Sequence, residues 1–233
     1  MTKKIAKLML NWQEYKIREY QSGWWWRQPW ANTILYVPMK DDLIDHSNNH
    51  LTLTNSWVSL ASNEATIDVW YFNGSSDINW ADNISFGSWD FHVWVWLKMT
   101  STINSQFCFA WTARWNVFMW YQTIWWNKLW IGRNDVAWDS IFRQTLSTNT
   151  RYYVSFDRAS SDFTISLNTS PLGTLTNGYS YDTSWWYKIW NDGNWNYINW
   201  YMSNFIIEDK AWSAQEITDY YNQTCADYWL SPI

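Results

Sequence analysis

Polar turn residues break this chain roughly every eight to twelve residues, and the runs between the breaks favour strand, which is the spacing of an all-β sandwich. The breaks include Asn48-Asn49, Asn73-Gly74-Ser75-Ser76, Ser160-Ser161-Asp162 and Asn177-Gly178, residue types that accept the dihedrals of turns. Between them, YYVSFD (152–157) and TISL (164–167) alternate, so one face of each strand turns to a core and the other to solvent. Strands are predicted at 33–37, 51–54, 65–72, 91–99, 106–110, 116–123, 128–133, 151–157, 163–168, 186–189 and 197–207. One short C-terminal helix follows. Ser213-Ala214-Gln215-Glu216 spells a capping box, in which Ser213 accepts from the N3 amide and Glu216 reaches back to the Ser213 amide. Ile217, Tyr220 and Tyr221 recur at i, i+3 and i+4 and give that helix one apolar face, suited to a lid on the sandwich. No repeat of the length that marks solenoids or propellers is present.

A chain of 233 residues buries a core without help from disulfides or metals. Its net charge of −5 argues against a nucleic-acid groove. Lys3, Lys4 and Lys7 are the one small basic cluster and read as a solvated end. Cys108 and Cys225 are far apart and read as unpaired buried thiols. In residues 1–10 the apolar run is only Leu8-Met9-Leu10, too short for a signal-peptide core, and no stretch is apolar enough for a membrane span. Residues 1–28 read as a leader, with two strands (KIAKLML and EYKIREY) in a β-hairpin and then a linker. Residues 29–233 read as one β domain.

The chain carries 25 Trp and only 7 Gly, where average usage would give about 16 Gly. Many tryptophans stand where glycine belongs. In YQTIWWNKLWIG (121–132) Trp125-Trp126 occupy the break between two β-rich runs, where a tight turn wants residues that accept φ > 0. Trp24-Trp25-Trp26 lie in linker composition, and Trp12, Trp115 and Trp195 adjoin Asn. Three explanations compete: an exposed aromatic surface, ordinary core, or a UGA codon that the organism reads as glycine and that has been written as tryptophan. Recoding alone accounts for the excess, the deficit and the turn positions together. It points to Trp12, Trp24, Trp25, Trp26, Trp57, Trp70, Trp89, Trp94, Trp111, Trp115, Trp125, Trp126, Trp130, Trp185, Trp190, Trp195 and Trp200. Trp30, Trp96, Trp138, Trp186, Trp212 and Trp229 fit apolar or motif contexts that a ring can fill, and Trp80 and Trp120 fit either.

The segment YFNGSSDI (71–78), followed by FGSWDFHVWVWLKM (86–99), is similar to the laminin-G-like domains of the concanavalin-A-like lectin/glucanase superfamily. These often carry an FNG-S motif and then a Gly-Asp-Phe strand ending in Trp and a basic residue. Trp89 stands where that glycine is expected, and Trp96 where the tryptophan is. NWYMSNFIIEDKAWSAQEI (199–217) resembles the last strand and helix start, with Trp200 at a usual glycine. PWANTILYVPMKDDLIDHSNN (29–49) resembles the first strand and its Asp-Ser-Asn loop. The resemblance covers most of 29–229. It implies a two-sheet antiparallel jelly roll with a concave and a convex side, binding carbohydrate or protein surfaces, with some relatives hydrolysing glucans and some binding calcium. The leader KLMLNWQEYKI, read with glycine at 12, is similar to N-terminal pieces of phage structural proteins.

Chemistry is sparse. A retaining glucanase needs two carboxylates about 5–5.5 Å apart, and the Glu-x-Asp-x-x-Glu pattern that supplies them in such relatives is absent. Glu208-Asp209 point to opposite faces of a strand and read as surface acids. His46, His50 and His92 sit in no triad or zinc context. No catalytic residue and no obligatory cofactor are therefore expected. Asp41, Asp42, Asp45 and Asn48 place hard oxygens in one loop, a candidate Ca2+ site. Relatives that bind calcium add an acid from the last strand, and the matching Ser203-Asn204 lacks the charge. For carbohydrate, Asn134, Asp135, Trp138 and Asp139 with Tyr121 combine rings for stacking with acceptors for hydroxyls, unless Trp138 belongs to the core. The expected function is a non-catalytic carbohydrate- or surface-recognition module, its partner a glycan or a cell-surface or virion protein. A phage or cell-surface structural protein displaying the jelly roll is the alternative, and a glycoside hydrolase a weaker one.

Overall fold

The structure, a computed structural model, describes residues 31–38, 42–61, 65, 69–73, 76–80, 89–100, 145–176 and 199–233, with the backbone of strands at 106–112, 116–122, 128–131 and 187–190. The leader expected at 1–28 lies outside these residues. Fourteen strands are described: β1 Thr33–Val37, β2 Leu53–Ser56, β3 Ser59–Ala61, β4 Val69–Asn73, β5 Asp77–Trp80, β6 Phe91–Met99, β7 Gln106–Thr112, β8 Asn116–Gln122, β9 Lys128–Ile131, β10 Arg151–Ala159, β11 Asp162–Leu167, β12 Ser170–Thr176, β13 Tyr187–Trp190 and β14 Asn199–Glu208. Helix α1, Ala214–Thr224, runs into a single 3-10 turn, Cys225–Tyr228.

The strands form two antiparallel sheets. One is ordered β12-β11-β10-β6-β14-β4-β3, with β1 also on β14, and the other is ordered β2-β5-β13-β7-β8-β9. One edge of β14 serves two strands: its first half pairs with β4 and its second with β1. The register shift between Ser203 and Ile206 makes this possible. Asn204, at φ 52, turns there and binds the Pro38 carbonyl through its amide at 2.9 Å.

Alternation sorts the long strands. Phe91, Val93, Val95, Leu97 and Met99 of β6 face the other sheet, together with Phe205 and Ile207 of β14 and Ile78 and Trp80 of β5. The Trp80 and Phe205 rings meet across the gap at 6.4 Å. The opposite side of β6 carries His92, Trp94, Trp96 and Lys98. Trp94 and Trp96 pack with Tyr153, Ile206 and the buried helix residues Ile217, Tyr220 and Tyr221 in a second, aromatic cluster. The predicted capping box is present, with Ser213 and Glu216 bonded reciprocally. The helix is thus a lid on the outer face of the larger sheet. Each large apolar side chain it buries contributes about 1.5–3 kcal/mol of transfer free energy.

Candidate functional site

Where the helix starts, three neighbouring strands hold a polar row beneath it. Asp157 of β10 and Glu208 of β14 both sit opposite His92 of β6 in register, and Thr33 of β1 sits opposite Glu208. Nδ1 of His92 donates to Asp157 Oδ1 at 2.6 Å. The Trp212 amide donates to the same oxygen at 3.0 Å, and its indole Nε1–H donates to Glu208 Oε2. Thr33 Oγ1 donates to Glu208 Oε1 at 3.0 Å, and the Trp212 ring lies flat on His92 at 3.9 Å. Burial, and after it the Asp157 carboxylate, push the neighbouring Tyr153 hydroxyl well above its ordinary pKa. Glu208 is therefore fully buried, not the surface acid its sequence neighbourhood suggests; Asp209 beside it is exposed. Asp157 and Glu208 share Trp212 but lie beneath it, where a substrate has no access. This row fastens the residues leading into α1 to the sheet.

The 42–51 loop closes on itself in a similar way. Asp45 Oδ1 accepts from the amides of Tyr36 (2.9 Å) and Ser47 (2.8 Å), and Oδ2 accepts from Ser47 Oγ and the Leu51 amide, both at 2.7 Å. The amides of Tyr36, Ser47 and Leu51 thus converge on one carboxylate and close the loop around it. Asp42 Oδ1 accepts from the Ile44 amide at 3.3 Å and meets His46 Nε2 at 3.1 Å. Asn48 is exposed, and Asp41 lies outside the described residues. Among the described residues no three His, Cys, Asp or Glu side chains group as a metal set. Ser47 Oγ and Asn49 Nδ2 both bind the Ile34 carbonyl, at 2.9 and 2.8 Å. The Asp-Ser-Asn loop is thus a staple on β1.

The FNG-S motif has a comparable task. Ser76 Oγ binds Asn73 Oδ1 at 2.7 Å and the Trp57 carbonyl at 2.8 Å. It thereby fixes the turn that carries the chain from β2 in one sheet to β3 in the other.

Of the expected ligand residues, Tyr121 lies in β8, opposite Phe107 and Leu129. Asn134, Asp135, Trp138 and Asp139 follow β9 and lie outside the described residues. Tyr121 therefore belongs to the β7-β8-β9 end of the smaller sheet.

Two facing antiparallel sheets, the shared edge of β14 and the helix lid define a two-sheet antiparallel jelly roll. The chain is similar in structure to the binding domain of Paraclostridial Mosquitocidal Protein 1 (15% identity, TM-score 0.60, 82% of this chain and 53% of that one). It is also similar to the botulinum neurotoxin serotype D binding domain (14%, 0.65, 82% and 51%). A third neighbour is domain 4 of AbnA, an extracellular arabinanase from Geobacillus stearothermophilus, in complex with arabinotriose (15%, 0.65, 81% and 97%). The chain spans about half the length of the two toxin domains and nearly all of the arabinanase domain. At these identities the likeness establishes the fold. No protein-family profile and no curated protein matches the sequence.

Proposed function

We propose that this chain is a non-catalytic recognition module that binds carbohydrate or a cell-surface partner. The observation that carries this is the match of 81% of this chain to 97% of an arabinanase domain whose structure holds arabinotriose. It is reinforced by the burial of the two carboxylates that share Trp212, which leaves them out of reach of a substrate. The ligand residues proposed are Tyr121, Asn134, Asp135, Trp138 and Asp139. Calorimetric titration with arabinotriose and a glycan array test this: saccharide binding that weakens about tenfold on Asp135→Ala, the loss of one charge-assisted hydrogen-bond acceptor, supports it. Silence across the array and with candidate surface proteins overturns it. Display of the jelly roll on a phage particle or cell surface is the second reading. It rests on the likeness of residues 7–17 to phage structural leaders, and a neighbouring tail or capsid gene tests it.

We also infer that part of the tryptophan excess reflects UGA read as glycine. Trp57, in the β2–β3 turn, has φ 67 and an 80% exposed side chain, the left-handed geometry that favours glycine. Trp89, at the glycine position of the resemblance, is 68% exposed. Trp229 adds itself to the suspects: it ends the 3-10 turn at φ 56, ψ 34, the αL position where glycine is usual. Trp94 lies in a strand, but its ring centroid is 3.4 Å from that of Tyr153, closer than the ~4.5–7 Å of ordinary ring pairs. Trp200 is fully buried in β14 and carries no such sign. Trp125, Trp126 and Trp195 lie outside the described residues. The genomic codons decide the matter: UGG at 57 and 229 would end the inference.

A further inference from the structure

Beneath the helix, register sets Ile206 of β14, Trp94 of β6, Ser155 of β10 and Ser166 of β11 side by side across four strands. All four are buried. The Trp94 ring lies among the rings of Tyr153 (3.4 Å between centroids), Tyr220 (4.3 Å) and Trp212 (5.3 Å).

That ring is badly placed in two respects. Its centroid is closer to Tyr153 than the ~4.5–7 Å of ordinary ring pairs. Its Nε1–H is buried with no acceptor among the described residues, although a buried indole N–H usually finds one. Two groups beside it stand in the same condition. Ser155 Oγ, on the residue directly opposite in register, and Tyr153 Oη are buried and unpartnered among the described residues. Both faults follow from the tether, because the bond to the β6 backbone fixes where the ring sits. A free ring could slide off Tyr153 and turn its donor to Ser155.

The UGA reading of position 94 removes tether and side chain together. Glycine inside a strand marks a place where a ligand or another backbone comes close. Enclosed cavities of about 150 Å3 with ring and aliphatic linings take up benzene.

We propose that, with glycine at 94, the natural chain holds a small planar aromatic carrying one N–H or O–H donor, such as indole or phenol, between the Ser155–Ser166 floor and the Tyr153, Tyr220 and Trp212 rings. The proposal rests on the UGA reading at this one position and not on residues 121–139. Calorimetric titration of full-length Trp94→Gly with indole tests it. The comparisons are the chain with tryptophan at 94, in which the slot is filled, and 1-methylindole, which has the ring without the donor. Indole should bind Trp94→Gly saturably, about tenfold tighter than 1-methylindole, and raise its unfolding midpoint. The tryptophan chain should not bind it. Adding Ser155→Ala should erase the preference for indole while both rings still bind. Trp94→Ala is titrated alongside, so that a glycine chain too unstable to fold does not hide the slot. No saturable binding to either variant, equal binding by the tryptophan chain, or an indole preference that survives Ser155→Ala overturns the proposal. A UGA codon at 94 without indole binding leaves the recoding standing and ends the slot; a UGG codon there ends both at this position. The recognition module stands in either case.

Discussion

The outer face of the larger sheet carries two polar rows built on the same strands. At one end stand Asp157, His92 and Glu208, and at the other Arg151, Lys98 and Tyr201. Six residues of β6 separate them, about 20 Å. The first row lies under the residues leading into α1, and every member is buried. The second lies past the helix end and is half-exposed. Under the lid, Asp157 Oδ1 and both Glu208 oxygens are taken by donors from the sheet and from the chain entering α1, while Asp157 Oδ2 and His92 Nε2 find no partner among the described residues; a buried row held this way is structural. Past the helix end, the same sheet geometry holds two rings and two cations in one half-exposed line. What separates the two rows is which end the helix covers.

That contrast can be broken in several places. The largest effect is expected at the covered row. Asp157→Ala strands the His92 and Trp212 donors and should lower the unfolding free energy by about 2–4 kcal/mol, read from urea denaturation. A loss below about 0.5 kcal/mol, the range of plain surface substitutions, would mean the row fastens nothing. Trp212→Phe keeps most of the ring and removes the hydrogen bond to Glu208, for an expected loss of about 1–2 kcal/mol.

The helix cap should respond to acid. Burial opposes ionisation of Glu216, but the hydrogen bonds from Lys210 and Ser213 outweigh it and hold its carboxyl below the usual 4.5. Its contribution is therefore complete above that value and is lost as pH falls through the lowered one. Glu216→Gln should cost about 0.5–1 kcal/mol at neutral pH, kept small by solvent screening, with the gap to wild type closing in acid. A gap that persists unchanged in strong acid would show that ionised Glu216 is not what holds the cap. The smallest effect is expected at the half-exposed row: Lys98→Gln should move the unfolding free energy by less than about 0.5 kcal/mol in the same urea denaturation, and a larger loss would show that this row also fastens the sheet.

The long elements were legible because their own residues declare them. β1 and β6 lie at the residues predicted, and α1 begins at its capping box. β3, β5 and β12 were missed: the first two have three and four residues, too few to show a period, and β12 contains Pro171 and Gly173. The tight turn before β12 is made by Asn168 and Thr169, both at positive φ, and Thr is not a residue that announces this conformation. Neither polar row could be read from spacing. His92, Asp157 and Glu208 are brought together only by register across strands far apart in sequence, as are Lys98, Arg151 and Tyr201 among basic residues that look scattered. Asp45 was legible as a loop acid but not as the acceptor that closes its own loop, because the chain alone does not say which amides converge on it.

The most direct test is a backbone NMR titration of the full chain with arabinotriose. The expected result is saturable shifts of the amides at 121 and 134–139, with the amides at 92, 157 and 208 unmoved. Shifts centred on the covered row would contradict a recognition module whose buried carboxylates only fasten the chain leading into the helix.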